Sequence, residues 1–166
     1  AILKATTGKV TATVVAGTAE SLNKDLKDAK ATDALTLTVN GTAATAAELN
    51  ALDGKTSVDV IVDASVVAVD GTFAELNKVY VTNKDNFTGL GNKAVTINGT
   101  VTAAQANTIA KATNGIVKAT VAANTADVLV ANLKDASATD ALSLEVNGAS
   151  ATAADLNALD GKTSVD

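Results

Sequence analysis

Histidine, cysteine and arginine are all missing from this chain of 166 residues, and so are proline, methionine and tryptophan. Each absence removes a chemistry. Without His or Cys there is no imidazole base, no thiolate nucleophile and no ordinary zinc site. Lacking Cys, the chain has no disulfide scaffold, although that alone does not fix the compartment. Without Arg there is no bidentate phosphate clamp. The 13 basic residues are all Lys, against 18 acidic ones, and the net charge of −5 with a pI near 4.6 argues against nucleic acid as a partner. No run approaches 18 apolar residues, so membrane insertion as a helix is not expected. No basic-apolar-small leader opens the sequence, and the export signal of a secreted parent would lie outside these residues.

Aromatics are scarce as well, at 2%: Phe73, Tyr80 and Phe87. A wide globular interior is usually filled with rings, whereas layers about 10 Å apart can be closed with Ala, Val and Leu. Those three residues supply most of the 47% apolar content. The expected core is therefore thin.

What is present is repetition. Residues 1–59 recur as 108–166 at a constant offset of 107, without a gap, and 41 of the 59 aligned positions are identical. Self-similarity at a fixed period is the signature of stacked units that complete one another's core. The expectation is one continuous segment over 1–166, with copies 1–107 and 108–166, the second incomplete. Such a segment would open and close within a repeat of a longer array.

A shorter interval lies inside the long one, marked by Thr18, Thr45, Thr72, Thr102, Thr125 and Thr152, spaced 27, 27, 30, 23 and 27. Each opens a short helix. Thr45 with Glu48, Thr72 with Glu75, Thr102 with Gln105 and Thr152 with Asp155 have capping-box spacing. Thr18 and Thr125 instead carry Glu20 and Asp127 in the first turn, where the helix dipole favours negative charge. Leu49 and Leu52 share an inward face, and Gly54, Gly115 and Gly161 are expected to end helices in the left-handed conformation. Between helices the period becomes two: Leu35, Leu37 and Val39 before Gly41, Leu142, Leu144 and Val146 before Gly148, Val58, Val60 and Val62, and Val95 with Ile97 before a turn at Asn98-Gly99. Strand, turn, capped helix, turn, strand, recurring about every 27 residues, predicts an α/β right-handed solenoid of short parallel strands and short helices.

Acidic residues are the candidate ligands. Asp53 and Asp160 stand at helix ends, Asp33 and Asp140 in the preceding loops, and Asp59 and Asp63 on a strand, where rows of oxygens might be presented to calcium. Asn83 and Asp85, in the Gly/Asn-rich segment 82–92, alternate as calcium loops do, yet Ala94 stands where a twelfth-position Glu would be required. The plainer account is that Asp-Gly is turn chemistry and that the other aspartates keep an outer face wet. Carboxylates that recur with the repeat, with few rings to hold a sugar, do not suggest a glycosidase. An enzyme is not expected. Outward Thr36 and Thr38 are matched by Ser143 and Glu145, which spoils the regularity an ice-binding face would need.

The segments 49–65 (LNALDGKTSVDVIVDAS) and 87–100 (FTGLGNKAVTINGT) resemble the repeats of very large secreted surface proteins of marine cyanobacteria and other Gram-negative bacteria, among them adhesins, surface-layer-like proteins and a swimming-associated protein. Similar strings occur in phage tail fibres. The resemblance implies an extracellular or cell-surface location, calcium-rich surroundings and a structural or adhesive role. The Gly-Asp nonapeptides of calcium-binding β-rolls are absent. The expected function is a structural repeat of a stalk, sheath or adhesin spacer, partnered by neighbouring repeats or copies of itself. A calcium- or saccharide-binding module contacting cell-surface polysaccharide is the first alternative, and a trimeric fibre segment the second.

Overall fold

The computed structural model describes residues 2–165; Ala1 and Asp166, the outermost positions of the repeat alignment, lie outside the described residues. In chain order the elements are α1 (Ile2–Ala5), β1 (Thr11–Thr13), α2 (Ala19–Asp25), β2 (Ala34–Val39), β3 (Ala43–Thr45), α3 (Ala46–Asp53), β4 (Val60–Val62), β5 (Ala68–Thr72), α4 (Phe73–Asn77), β6 (Phe87–Thr88), β7 (Ala94–Val101), α5 (Ala103–Ala112), β8 (Val117–Val121), α6 (Ala126–Asn132), β9 (Ala141–Ser143) and α7 (Ala153–Asp160). A π-helical segment, Lys78–Thr82, and a 3-10 turn, Lys84–Asn86, lie between α4 and β6.

The architecture is mixed α/β with two all-parallel sheets, ordered β1-β2-β4-β6 and β3-β5-β7-β8-β9, and seven α-helices among the described residues. No closed barrel forms. From α2 onward each helix packs on the next in sequence. Apolar alternation places Leu35, Leu37 and Val39 of β2 inward and its Ala and Thr residues half-exposed. One core cluster then runs from Ala19 to Leu159, built of Leu, Val, Ile and Ala with only Tyr80 and Phe87 as buried rings. The strands pair at several offsets. Thr11 faces Ala34, 23 residues on, Ala43 faces Ala68, 25 on, Val60 faces Phe87, 27 on, and Val101 faces Val121, 20 on.

Helix starts follow the capping chemistry. Thr45, Thr72 and Thr102 form complete boxes with Glu48, Glu75 and Gln105, and Thr18 accepts from the Ser21 N–H at 3.2 Å. At Thr152 the expected box is only half made. Its hydroxyl accepts from Asp155 N–H at 3.1 Å, but the Asp155 carboxylate stops at that hydroxyl, 2.6 Å away, and does not reach the Thr152 N–H. Aspartate is one methylene shorter than glutamate. Thr125 makes no side-chain cap, because its hydroxyl turns to the Asp127 carboxylate.

Three local expectations are corrected. Gly54 and Gly161 end their helices at φ −69° and −70°, so neither is left-handed, and Gly115 also lies outside the positive-φ set. Gly115 is instead a point of close approach, since a Cβ there would run into the Lys93 carbonyl oxygen. The turn expected at Asn98-Gly99 is a bulge inside β7: Gly99 takes φ +83°, and the pairing with β8 shifts register between Thr96 and Thr100. Asp59 and Asp63 do not lie on a strand; they flank the three residues of β4.

Candidate functional site

Among the acidic candidates, Asp53 is the best placed and also the most occupied. It ends α3 half-buried, and its two carboxylate oxygens accept from the side-chain amides of Asn83 at 3.0 Å and Asn86 at 2.9 Å. Segment 83–86 is thereby pinned onto the end of α3. Asp59 and Asn86 share with Asp53 a surface hollow of about 330 Å³. Asp63 sits at the other end of β4, about 13 Å along the strand from Asp59. Its carboxylate accepts from the Ser65 N–H at 2.9 Å, and that bond holds its pKa below the usual carboxylate value.

Asp85 is exposed on the 3-10 turn, 3.6 Å from the ammonium of Lys84, and Asp160 is exposed at the end of α7. The structure thus brings Asp53, Asp59 and Asn83 into one neighbourhood and leaves Asp63, Asp85 and Asp160 apart. Calcium requires six to eight oxygens. Two carboxylates, one of them already saturated by amides, do not fit that demand, and no cluster of three acidic side chains suited to a metal occurs among the described residues.

The buried aspartates have another role. Asp33 and Asp140, 2% and 5% exposed, each join three segments of chain. Asp33 accepts from Val10 N–H at 2.8 Å and Lys30 N–H at 3.0 Å through its carboxylate, while its carbonyl accepts from Ser57 N–H at 2.6 Å. One repeat later, Asp140 accepts from Val117 N–H at 2.8 Å, Ser137 N–H at 2.9 Å and, through its carbonyl, Ser164 N–H at 2.6 Å. The backbone bonds, that of Val10 foremost, hold the Asp33 carboxyl below its ordinary pKa. Neighbouring positions carry the same function. The Thr56 hydroxyl accepts from Leu35 N–H at 3.0 Å and donates to the Leu35 carbonyl at 2.8 Å, as Thr163 does for Leu142 at 3.0 and 2.6 Å. Buried Lys93 donates to the Asp63 carbonyl at 2.9 Å.

A second ladder was missed in the sequence although its signal is there. Asparagine stands five residues after the capping threonine in five of the six helices: Asn23, Asn50, Asn77, Asn107 and Asn157. Asn23 donates to Ala19 O and to Glu48 O on the next helix, at 2.9 and 3.0 Å; Asn50 does the same to Ala46 O and Glu75 O, at 2.8 and 3.0 Å. The ladder stops at Asn77, whose amide turns to Thr82 at 3.4 Å, where the π-helical segment displaces the next rung.

These groups satisfy backbone donors and acceptors between adjacent segments, which is architectural chemistry. No helix among the described residues is long and apolar enough to cross a membrane. Comparison with family models, curated proteins and solved structures finds no match.

Proposed function

We propose that the chain is a length of right-handed α/β solenoid whose work is mechanical: a stalk, sheath or spacer segment of a large extracellular or cell-surface protein, adjoining further repeats or copies of itself. The observation that carries this reading is the double bonding of Asp33 and Asp140. Each ties the segment before it and the segment after it with the same atoms, one repeat of 107 residues apart. A slack tether between independent beads would not reproduce that pattern. Parallel pairing of strands in succession, with capped helices stacked in chain order, supports a winding chain, for which right-handed crossover is the strong rule. The unequal pairing offsets support windings of variable length about a mean near 27. The extracellular setting rests on the resemblance and on the acidic surface.

Proteins of one, two and three 107-residue periods test the reading. Stability in a stacked array grows with nearest-neighbour interfaces, so melting temperatures should rise with period number. Equal melting curves would instead indicate separate domains. A calcium- or saccharide-binding module predicts a ligand that raises the melt by mass action, and a fibre segment predicts an obligate trimer in light scattering.

A further inference from the structure

The repeat is broken in one place, and the break is built like a binding site. The 30-residue interval from Thr72 to Thr102 contains all three aromatic residues of the chain and its π-helical segment Lys78–Thr82. A π-turn is rare, and where it occurs it is frequently at a functional site. Beside it lie two hollows, of about 730 and 220 Å³, which share Tyr80, Lys84 and Ala112 and so form one groove. The larger is within the range of small-molecule sites.

The groove has an apolar wall and a cationic rim. Val81 and Ala112 line the larger hollow, Val79, Phe87 and Leu90 the smaller. Of its charged groups, Asp135 is engaged by Asn107 through two bonds, of 2.8 and 2.6 Å, and Lys84 lies near Asp85. Lys111 has no hydrogen bond or ion pair among the described residues. Tyr80 is 4% exposed, and its hydroxyl is buried without a partner. An orphaned hydroxyl costs stability, so its retention here calls for a reason.

We propose that this groove binds a small organic carboxylate with an apolar body, the anion held between Lys84 and Lys111 and the body seated against Tyr80 and Val81. Opening of the π-turn by the ligand gives the Tyr80 hydroxyl the acceptor it lacks. Lysine supplies a point charge and not a fork, which suits a single carboxylate. The proposal is independent of whether the chain winds as a solenoid.

The test is a titration of the full chain followed by backbone amide NMR shifts, with benzoate, galacturonate and neutral benzamide as probes. The expected result is a saturable shift at Val81, Thr108 and Lys111 with a carboxylate, weakened by salt. Lys84→Ala combined with Lys111→Ala should weaken it about tenfold. Tyr80→Phe should melt no lower than the parent and bind severalfold more weakly. Saturation by benzoate alone supports a free carboxylate, and by galacturonate alone a carboxylate borne on a saccharide. Absence of a saturable shift with either acid, equal binding of benzamide, or binding unchanged in both variants overturns the proposal.

Discussion

Leu49 and Leu156 occupy the same position of the repeat, 107 residues apart, yet Leu49 is 0% exposed and Leu156 is 48% exposed. Their local sequences are nearly the same, Thr-Ala-Ala-Glu-Leu-Asn against Thr-Ala-Ala-Asp-Leu-Asn, and both lie on capped helices. The difference is what packs on them. Leu49 has α4 and β5 against its helix, and α7 has only α6. Burial in this fold is set by the neighbour, not by the residue's own segment.

Leu49→Ala should therefore cost about 2 to 5 kcal/mol and Leu156→Ala less than about 1 kcal/mol, because a cavity forms only where the surroundings close over the side chain. Urea unfolding of the two variants measures the contrast. Amide exchange should be faster in α7 than in α3 for the same reason. Equal losses for the two substitutions would contradict a core shared between successive helices.

The half-made box at α7 gives a prediction of opposite sign. Glu48 and Glu75 reach the N–H of Thr45 and Thr72 at 3.1 and 2.9 Å, whereas Asp155 stops at the Thr152 hydroxyl. Asp155→Glu keeps the charge, adds the missing methylene and should gain about 0.5 to 1 kcal/mol. The gain should appear in the urea midpoint and as slower exchange of the Thr152 amide. A variant no more stable than the parent would mean that fraying of this last helix is not governed by its first turn.

What was legible in the sequence is what is local. Thr45 and Glu48 are three residues apart, so their reciprocal bonds can be read directly, and the alternation of Leu35, Leu37 and Val39 identifies a half-buried strand. Gly54 was misread because Asp-Gly after a helix suggests a left-handed stop, while here the chain simply tightens, with Lys55 N–H bonding to Leu52 O at 2.9 Å. Strands β3 and β5 were missed because three and five residues next to a helix cap carry too little periodicity. The roles of Asp33 and Asp53 were not legible for a different reason. Each depends on partners 23 to 33 residues away, and only the register between segments decides whether an aspartate meets a backbone N–H, an asparagine amide or water.

Acid should unfold this chain in a way that Asp33 helps to set. Its carboxylate accepts from Val10 N–H and Lys30 N–H, so the folded state binds a proton less readily than the unfolded chain, whose aspartates titrate near about 3.9. A lowered folded pKa contributes stability that is complete above the unfolded value and is lost as pH falls through the folded one. Asp63, held down by the Ser65 N–H, Glu75 by the Thr72 N–H and Asp127 by the Thr125 hydroxyl act in the same direction, so the acid limb is shared. Asp33→Asn offers one acceptor oxygen where two N–H groups need one each, and it turns an NH2 toward a donor. The variant should melt lower at neutral pH and lose less of its remaining stability than the parent between about pH 5 and pH 3. Melting curves across that range provide the measurement, and a parent-like melt with an unchanged acid slope would remove Asp33 from its place as the bond between successive segments.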